Sequence, residues 1–368
     1  MPQRIVIKLG TSVLTGGTAR LDEAHMLALA AQCAQLRAAG HEIILCSSGA
    51  IAAGRSRMGL EAAPVGMAER QMLAAVGQSR LMGTWERCFD GHDLRVGQIL
   101  LTRADVEHRE RYLNARDALN AMLAHGVIPI VNENDAVAIA EIKLGDNDNL
   151  SALLALLAEA DLLLILTDQP GLFTSDPRLD PDAQLIAEVP RVSASVRATA
   201  SGSVSGVGTG GMTTKIQAAE MACRGGTTVV VASGRAPDVI PKAARGEAVG
   251  TRFAPTETPI EHRKKWIMAG PRPRAALIVD GGAAAALRTA GSSLLPAGIA
   301  RISGRVNRGD AVLIKDESGS ELARGISRYD GEELLAIRGI RSDAIAGVLG
   351  YTRGAAAVHR NDIVLANE

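Results

Sequence analysis

The sequence predicts an α/β domain built on a mainly parallel sheet, followed by a smaller β-rich domain. Apolar, β-branched segments alternate with helical segments over the first 170 residues, which is typical of a parallel sheet covered on both faces. Small or polar turns follow several of these strands, at the edge where open α/β sheets bind ligands. After a Pro-rich segment at 254–274 the pattern changes to short strands and Gly turns.

Length and composition set the domain plan. A chain of 368 residues is long enough for two or three domains, and we expect an α/β domain at 1–253, a linker at 254–274 and a β-rich domain at 275–368. The apolar content of 47% is ample for a core, and the aromatic content of 2% makes that core aliphatic. Basic and acidic residues are balanced at 40 each, so overall charge indicates no polyanionic partner.

Cysteine usage and the N-terminus indicate a cytoplasmic protein without a membrane partner. The four cysteines lie far apart with no C-x-x-C spacing, which argues against a zinc or redox motif. The N-terminus leads directly into a strand without an apolar signal region, and no apolar run is long enough to span a bilayer.

The elements follow in chain order, with strands alternating with helices. We predict strands at 4–9, 42–46, 94–101, 127–131, 161–166 and 227–232, and helices at 21–39, 67–90, 110–124, 150–160 and 212–224. Gly40 and Gly126 end helices, and Asn149 is a plausible N-cap. Segment 171–197 is a hairpin or irregular insertion and 198–211 a mobile loop. The last domain has one short helix candidate.

Two polar clusters lie between a predicted strand and a predicted helix. They are Asn132-Glu133-Asn134-Asp135 and Gly145-Asp146-Asn147-Asp148-Asn149. Asn and Asp are common in turns, so either cluster alone would fit an ordinary loop. Two within 20 residues favour a polar small-molecule site.

Two lysines stand beside glycine-rich turns that suit phosphate. Lys8 precedes Gly10-Thr11-Ser12, whose backbone amides can form an anion site. Lys215 falls in the first turn of a predicted helix, where a cation opposes the helix dipole unless an anion is bound. Neither of these two glycine-rich segments contains the Gly-Lys-Ser/Thr sequence of a Walker A loop. Residues 206–211 match G-x-G-x-x-G, but without a preceding strand a dinucleotide site is not indicated.

No general base is evident, because the histidines are scattered and Ser47-Ser48-Gly49 lacks the pattern of a nucleophile elbow. A substrate carboxylate needs no base, since it is already ionised at neutral pH. Phosphoryl transfer to such an acceptor depends mainly on positioning and on neutralisation of charge by lysines, Mg²⁺ and backbone amides.

Together these motifs resemble the amino acid kinase family, and in particular its members that phosphorylate glutamate and carry a C-terminal PUA domain. The resemblance rests on 8–12, 47–50, 132–135, 145–149, 167–168 and 208–215, and in the tail on 291–296, 308–310 and 357–362. It implies a three-layer sandwich with a mainly parallel central sheet, a small β-rich PUA domain, and transfer of phosphate from ATP to the glutamate side chain in proline synthesis.

The resemblance also implies roles for individual residues. Lys8 would hold the transferring phosphoryl group, Lys215 the leaving phosphates, and Asp148 would orient both lysines. Glutamate would be bound by Ser48, Gly49, Asp135 and Asn147. ATP would contact Lys8, Gly10, Thr167, Asp168, Thr209, Gly210, Gly211, Met212, Thr213, Thr214 and Lys215. Magnesium would arrive with ATP, with no metal cage made by the protein alone.

Other classes fit less well, and one alternative stays open. Aspartokinases carry a second glycine after the first lysine motif, where this chain has Thr11, and uridylate and acetylglutamate kinases lack a PUA tail. The alternative is an RNA-binding regulatory protein acting through the tail. Residues 271–368 contain 13 basic and 11 acidic residues, and Tyr329 and Tyr351 are their only aromatic residues, so RNA is not favoured. The family also suggests a homodimer or homotetramer, and proline as a feedback inhibitor.

Overall fold

A computed structural model describes residues 1–60, 66–137, 147–200, 211–255, 267, 273 and 275–366. The chain forms two compact units, Met1–Pro259 and Ile260–Glu368. Most of the predicted linker at 254–274 lies outside the described residues. No helix in the described ranges is both long enough and apolar enough to cross a membrane.

The first unit is organised around a mainly parallel sheet. Its strands, in chain order, are β1 Arg4–Leu9, β2 Glu42–Ser47, β3 Val96–Leu101, β4 Ile128–Glu133, β5 Leu162–Thr167, β6 Glu188–Val189, β7 Thr228–Ser233 and β8 Thr251–Phe253. In the sheet they are ordered β3-β4-β2-β1-β5-β7-β8-β6. The six strands from β3 to β7 in this order pair in parallel with their neighbours, and β8 is antiparallel to β7. The predicted parallel sheet is confirmed.

Helices cover both faces of this sheet. The described helices of the unit are α1 Thr11–Thr15, α2 Glu23–Ala38, α3 Ala50–Met58, α4 Met67–Asp90, α5 Arg103–Glu107, α6 Arg109–Ala124, α7 Asn147–Ala158, α8 Ala194–Ala200, α9 Met212–Arg224 and α10 Val239–Ala244. Alternate residues of β1 point to opposite faces: Ile5 and Ile7 join a core with α2, α4 and α10, while Val6 joins a core with α6, α7 and α9. The result is the three-layer architecture.

Several local predictions are confirmed and others are wrong. Gly40 and Gly126 follow α2 and α6 in left-handed backbone conformations, as glycine at a helix end does. Asn149 is not an N-cap, because α7 already includes Asn147. The loop predicted at 198–211 begins inside α8, and residues 201–210 are outside the described ranges. Segment 171–197 contains the predicted hairpin, with an antiparallel bridge between Phe173 and Leu185.

The second unit is a small β-rich domain with its own core. Its strands are β9 Ala276–Val279, β10 Ile299–Ser303, β11 Ala311–Lys315, β12 Glu321–Ile326 and β13 Ile363–Leu365, in the sheet order β10-β9-β11-β12-β13. The expectation of one short helix is wrong. Three α-helices, α11 Gly281–Ala290, α12 Gly331–Ile337 and α13 Ile345–Leu349, are described. α12 and α13 are a turn or two long and depend on tertiary packing, so their sequence signal is weak.

Candidate active site

The sheet order brings the predicted site residues to one edge. Strands β4, β2, β1 and β5 are neighbours in the sheet, and they run parallel. Their carboxyl ends therefore meet at the same edge, as ligand sites of open α/β sheets require. Asn132, Ser47, Lys8 and Thr167 lie at or near these four strand ends.

Lys8, Asp148 and Lys215 form the centre of this edge. Lys8 Nζ lies 2.5 Å from Asp148 Oδ1, and Lys215 Nζ lies 3.0 Å from Asp148 Oδ2. The three residues come from β1, α7 and α9, and all are almost fully buried, with Asp148 at 0% exposure. The structure therefore brings together the three residues predicted to be catalytic.

The three side chains of this cluster are two ammonium groups and one carboxylate. Burial by itself would raise the pKa of the Asp148 carboxyl, but the ammonium groups of Lys8 and Lys215 outweigh it and hold that pKa well below its usual range. Asp148 is therefore ionised, and one carboxylate is shared by two cations. Two neighbouring ammonium groups are well placed to receive hydrogen-bonding oxygens of an anion, which suits a phosphoryl group.

The start of α9 adds to the positive potential. Gly211 is the N-cap, makes no side-chain capping hydrogen bond, and is followed by a first turn without an acidic residue. Lys215 lies in that first turn, as predicted, against the helix dipole. Thr214 Oγ1 donates to Asp148 Oδ2 at 3.0 Å, so the helix start is tied to the central carboxylate.

On the β2 side, a second polar group forms around Asn147. Its Nδ2 donates to Ser48 Oγ at 2.9 Å and to the Ser47 backbone oxygen at 3.1 Å. Ser47 is itself fixed, because Trp85 Nε1 donates to its Oγ at 3.0 Å. Gly49 takes a left-handed conformation with φ of 100° as the N-cap of α3, a conformation that glycine adopts readily. Ser48, Gly49 and Asn147 therefore lie close together.

Asp135 lies two residues beyond β4 at the same edge, and it is half-buried. Burial raises the pKa of its carboxyl to about 6. Within the described ranges no hydrogen bond links it to Asn147 or Ser48. A carboxylate in such a position gains most from a cationic ligand group, because that group would offset its desolvation.

Five of the residues predicted to bind the nucleotide line a cleft. Thr167, Asp168, Gly211, Met212 and Lys215 share it. The insertion between β5 and β6 supplies further lining residues that the sequence did not single out, namely Gln169, Gly171, Leu172, Phe173, Ser175, Asp176, Pro177 and Arg178, with Thr199 from α8. The positions of these residues depend on how the insertion folds. The sequence of the insertion contains no motif that would have marked them.

Some predicted contacts differ from those in the structure, and others involve residues outside the described ranges. The Gly10 amide, predicted to face the anion, donates to the Leu166 oxygen over a long 3.4 Å. Thr213 is exposed at the start of α9. Thr209, Gly210, Gly145 and Asp146 lie outside the described residues. Across the residues that the structure does describe, no group of three or more His, Cys, Asp or Glu side chains is arranged to hold a metal ion.

Sequence reasoning missed the partners that support Asn147. Asn132 is 2% exposed, and its Oδ1 accepts from Asn147 Nδ2 at 2.9 Å. Gln78 of α4 in turn accepts from Asn132 Nδ2 at 2.9 Å. Asn132 lay in a recognised polar cluster, but Gln78 comes from a distant helix and no local pattern marks it.

The family of the chain follows from sequence comparison. Residues 3–233 match the amino acid kinase family, and residues 275–349 match the PUA domain. The chain belongs to the amino acid kinase family. The carbamate kinase from Giardia lamblia bound to AMP-PNP shares the fold, with a TM-score of 0.50 at 17% identity over 69% of this chain and 98% of that chain.

Relatives similar over the whole length point to one member of that family. A glutamate 5-kinase of Photobacterium profundum is 56% identical over 99% of this chain and 96% of its own length. A glutamate 5-kinase of Klebsiella pneumoniae is 54% identical over 99% of both chains. The predicted resemblance to amino acid kinases with a PUA domain is thus confirmed.

Proposed function

We propose that this chain is an ATP-dependent kinase that phosphorylates the side-chain carboxylate of L-glutamate, giving L-glutamyl 5-phosphate and ADP for proline synthesis. Glutamate 5-kinases at 53–56% identity over almost the whole chain support this function. The observation that carries the chemistry is the buried Lys8–Asp148–Lys215 cluster, in which one carboxylate holds two ammonium groups.

The acceptor is bound on the β2 and β4 side of the cluster. Asn147, Ser48 and Gly49 bind glutamate by hydrogen bonds, and the Asp135 carboxylate pairs with its α-ammonium group. The side-chain carboxylate of glutamate is ionised at neutral pH, so it attacks the γ-phosphorus without a general base. The chain's main contribution is then to hold nucleophile and phosphoryl group in line.

The lysines neutralise charge on the transferring group. Lys8 binds the γ-phosphoryl oxygens, which gather charge in the transition state, and Lys215 binds the oxygens that leave with ADP. Asp148 keeps both ammonium groups in place, because each is paired with one of its oxygens. Charge that is fixed before the reaction need not reorganise during it.

The nucleotide occupies the cleft beside β5 and α9. We assign Gly10, Thr167 and Asp168 to nucleotide binding, together with Thr209, Gly210, Gly211, Met212, Thr213 and Thr214, and we assign Lys8 and Lys215 to the phosphates. The cleft lined by Thr167, Asp168, Gly211 and Met212 supports this assignment. The first turn of α9 directs backbone amides at anions, as helix N-termini do.

Magnesium enters with ATP. We assign Mg²⁺ to phosphate oxygens and water, and not to a cage of protein side chains. When bound, the ion neutralises phosphate charge alongside the lysines. The cytoplasmic location stays a prediction from cysteine usage and the N-terminal sequence. The homodimer or homotetramer and inhibition by proline stay predictions from the family resemblance.

A trapping assay tests the function directly. Purified protein is incubated with Mg-ATP and hydroxylamine, with glutamate, aspartate, acetylglutamate or UMP as acceptor. ADP release and hydroxamate formation with glutamate alone are the expected result. Turnover with another acceptor would overturn the substrate assignment, and no turnover with any of them would remove the kinase proposal and favour RNA binding by the tail.

A further inference from the structure

A chain of three side-chain amides leads from the surface of the first unit to Asn147. Gln78 Nε2 donates to Gln98 Oε1 at 3.0 Å, and Gln78 Oε1 accepts from Asn132 Nδ2 at 2.9 Å. Asn132 Oδ1 then accepts from Asn147 Nδ2 at 2.9 Å. Gln98 is exposed and Gln78 half-buried, whereas Asn132 and Asn147 are buried.

Backbone groups at the inner end decide which way these amides face. The Glu133 backbone N–H, which can only donate, donates to Asn132 Oδ1 at 2.9 Å. The Ser47 backbone oxygen, which can only accept, accepts from Asn147 Nδ2 at 3.1 Å. Asn132 therefore presents its Nδ2 to Gln78, and only the Oε1 of Gln78 can accept that hydrogen bond. The polarity of the whole chain of amides is fixed.

This polarity limits what Asn147 can offer a ligand. Its Nδ2 has two hydrogens, and three acceptors surround that nitrogen: Asn132 Oδ1, Ser47 O and Ser48 Oγ. The remaining hydrogen-bonding atom is Oδ1, an acceptor. An acceptor matches the α-ammonium group of an amino acid and not a carboxylate.

Helix α4 holds Gln78 in a defined place. The residue before it, Gly77, lies so close to α3 that an added Cβ would stand 1.9 Å from the Ala50 oxygen, and one at Gly54 would stand 2.0 Å from the Leu73 oxygen. This backbone-to-backbone contact allows little sliding between the two helices. Since α3 begins at the Gly49 turn, Gln78 is fixed relative to the acceptor side of the site.

We propose that Gln78 is a positioning residue for the acceptor amino acid: it holds Asn132 in place, and Asn132 in turn holds Asn147, whose carbonyl oxygen accepts from the α-ammonium group. The inference rests on the proposed function. Gln78 touches no reacting atom in this scheme. Its effect is on how firmly Asn132 holds Asn147, so Gln78 belongs to recognition of glutamate and not to phosphoryl transfer.

The test compares Gln78→Leu with Gln78→Glu. Leu removes the acceptor, leaving Asn132 Nδ2 without its partner, and we expect the KM for glutamate to rise about tenfold while the KM for ATP stays within about twofold. Glu keeps an oxygen opposite Asn132 Nδ2 and is expected to restore most of the affinity. Ser79→Ala, one residue along α4 at an exposed position, is the control and should change neither constant.

A binding measurement separates this inference from the proposed function. The increase in Tm caused by glutamate without ATP should shrink in Gln78→Leu and recover in Gln78→Glu. Equal rises in both KM values, an unchanged glutamate KM in Gln78→Leu, or no recovery with Glu would overturn the positioning role. If the unmodified chain formed no hydroxamate from glutamate, the proposed function itself would fail.

Discussion

Asp148 is the residue on which the charge arrangement of the site depends. It is fully buried, yet it stays ionised because Lys8 and Lys215 each pair with one of its oxygens. A single buried carboxylate thereby holds two cations that would otherwise repel each other. In the proposed function, these two ammonium groups bind the phosphate oxygens.

Replacing Lys215 by Ala is expected to lower kcat by about 100- to 1,000-fold, because one fixed cation at the leaving phosphates is lost. Asp148 keeps Lys8 as a partner, so the fold should persist. Lys242→Ala, which removes a half-buried lysine of α10 away from the site residues, is the control and should leave kcat unchanged. Steady-state kinetics measure kcat, and circular dichroism checks that the variant is folded. Near-normal turnover in Lys215→Ala would remove Lys215 from the mechanism.

Asp135 should make glutamate binding depend on pH. Burial raises its pKa to about 6, so the carboxylate needed by the α-ammonium group is lost as pH falls through that value. None of the three ionised groups of glutamate itself titrates substantially between pH 5 and 7, so the Kd for glutamate is expected to rise about tenfold between about pH 7 and 5.

Calorimetric titration of glutamate without ATP measures this effect and avoids titration of the nucleotide phosphates. Asp135→Asn should bind glutamate weakly at every pH in the range, and Asp135→Ala should chiefly raise the KM for glutamate. A flat Kd in the unmodified chain would contradict the role of Asp135.

At the scale of elements, the contact between α3 and α4 connects the fold to the acceptor site. Gly54 and Gly77 let the two backbones approach more closely than any side chain would allow. α3 begins at the Gly49 turn and α4 carries Gln78. The crossing therefore sets the distance between two parts of the glutamate side of the site.

Gly77→Ala is expected to destabilise the first unit by about 2–3 kcal/mol, because the new methyl group must displace the backbone of α3. Gly83→Ala is a matched control on the same helix, where the nearest atom to an added Cβ is the flexible Arg87 side chain at 3.8 Å. It should be neutral or stabilise by about 0.5–1 kcal/mol. Urea unfolding compares the two, and equal stabilities would show that the crossing is not tight.

At the scale of the whole molecule, every described candidate site residue lies in the first of two compact units. The second unit has a separate sheet and its own apolar core. Its role is not needed to explain the chemistry of the Lys8–Asp148–Lys215 cluster.

A chain ending at residue 259 should therefore retain hydroxamate formation from glutamate, with kcat/KM within about threefold of the full chain, since a unit with its own core can fold alone. Trapping assays on both chains give the comparison. Loss of activity in a folded shortened chain would assign a catalytic role to the second unit. Salt-sensitive retention of RNA by residues 275–368 would instead revive the RNA-binding alternative.

Much of the first unit was predictable because its signals are local. Buried strands such as Val127 to Val131 and helix ends such as Gly40 follow from side-chain pattern and backbone preference. The tail was predicted less well, since α12 and α13 are too short to show a helical period. Asn149 looked like a cap because it stands just before an apolar run, but tertiary contacts of Asn147 and Asp148 extend α7 further towards the N-terminus.

The sequence by itself determined the residue types that the chemistry needs: two lysines beside glycine-rich turns, an aspartate and two asparagine-rich clusters, in an order that resembles the amino acid kinases. Only the tertiary structure decided that Lys8 and Lys215, 207 positions apart by their residue numbers, share one carboxylate. It also decided that Gln78 supports Asn147 through Asn132. Such contacts depend on strand order and helix crossing, which bring together residues that no local pattern connects.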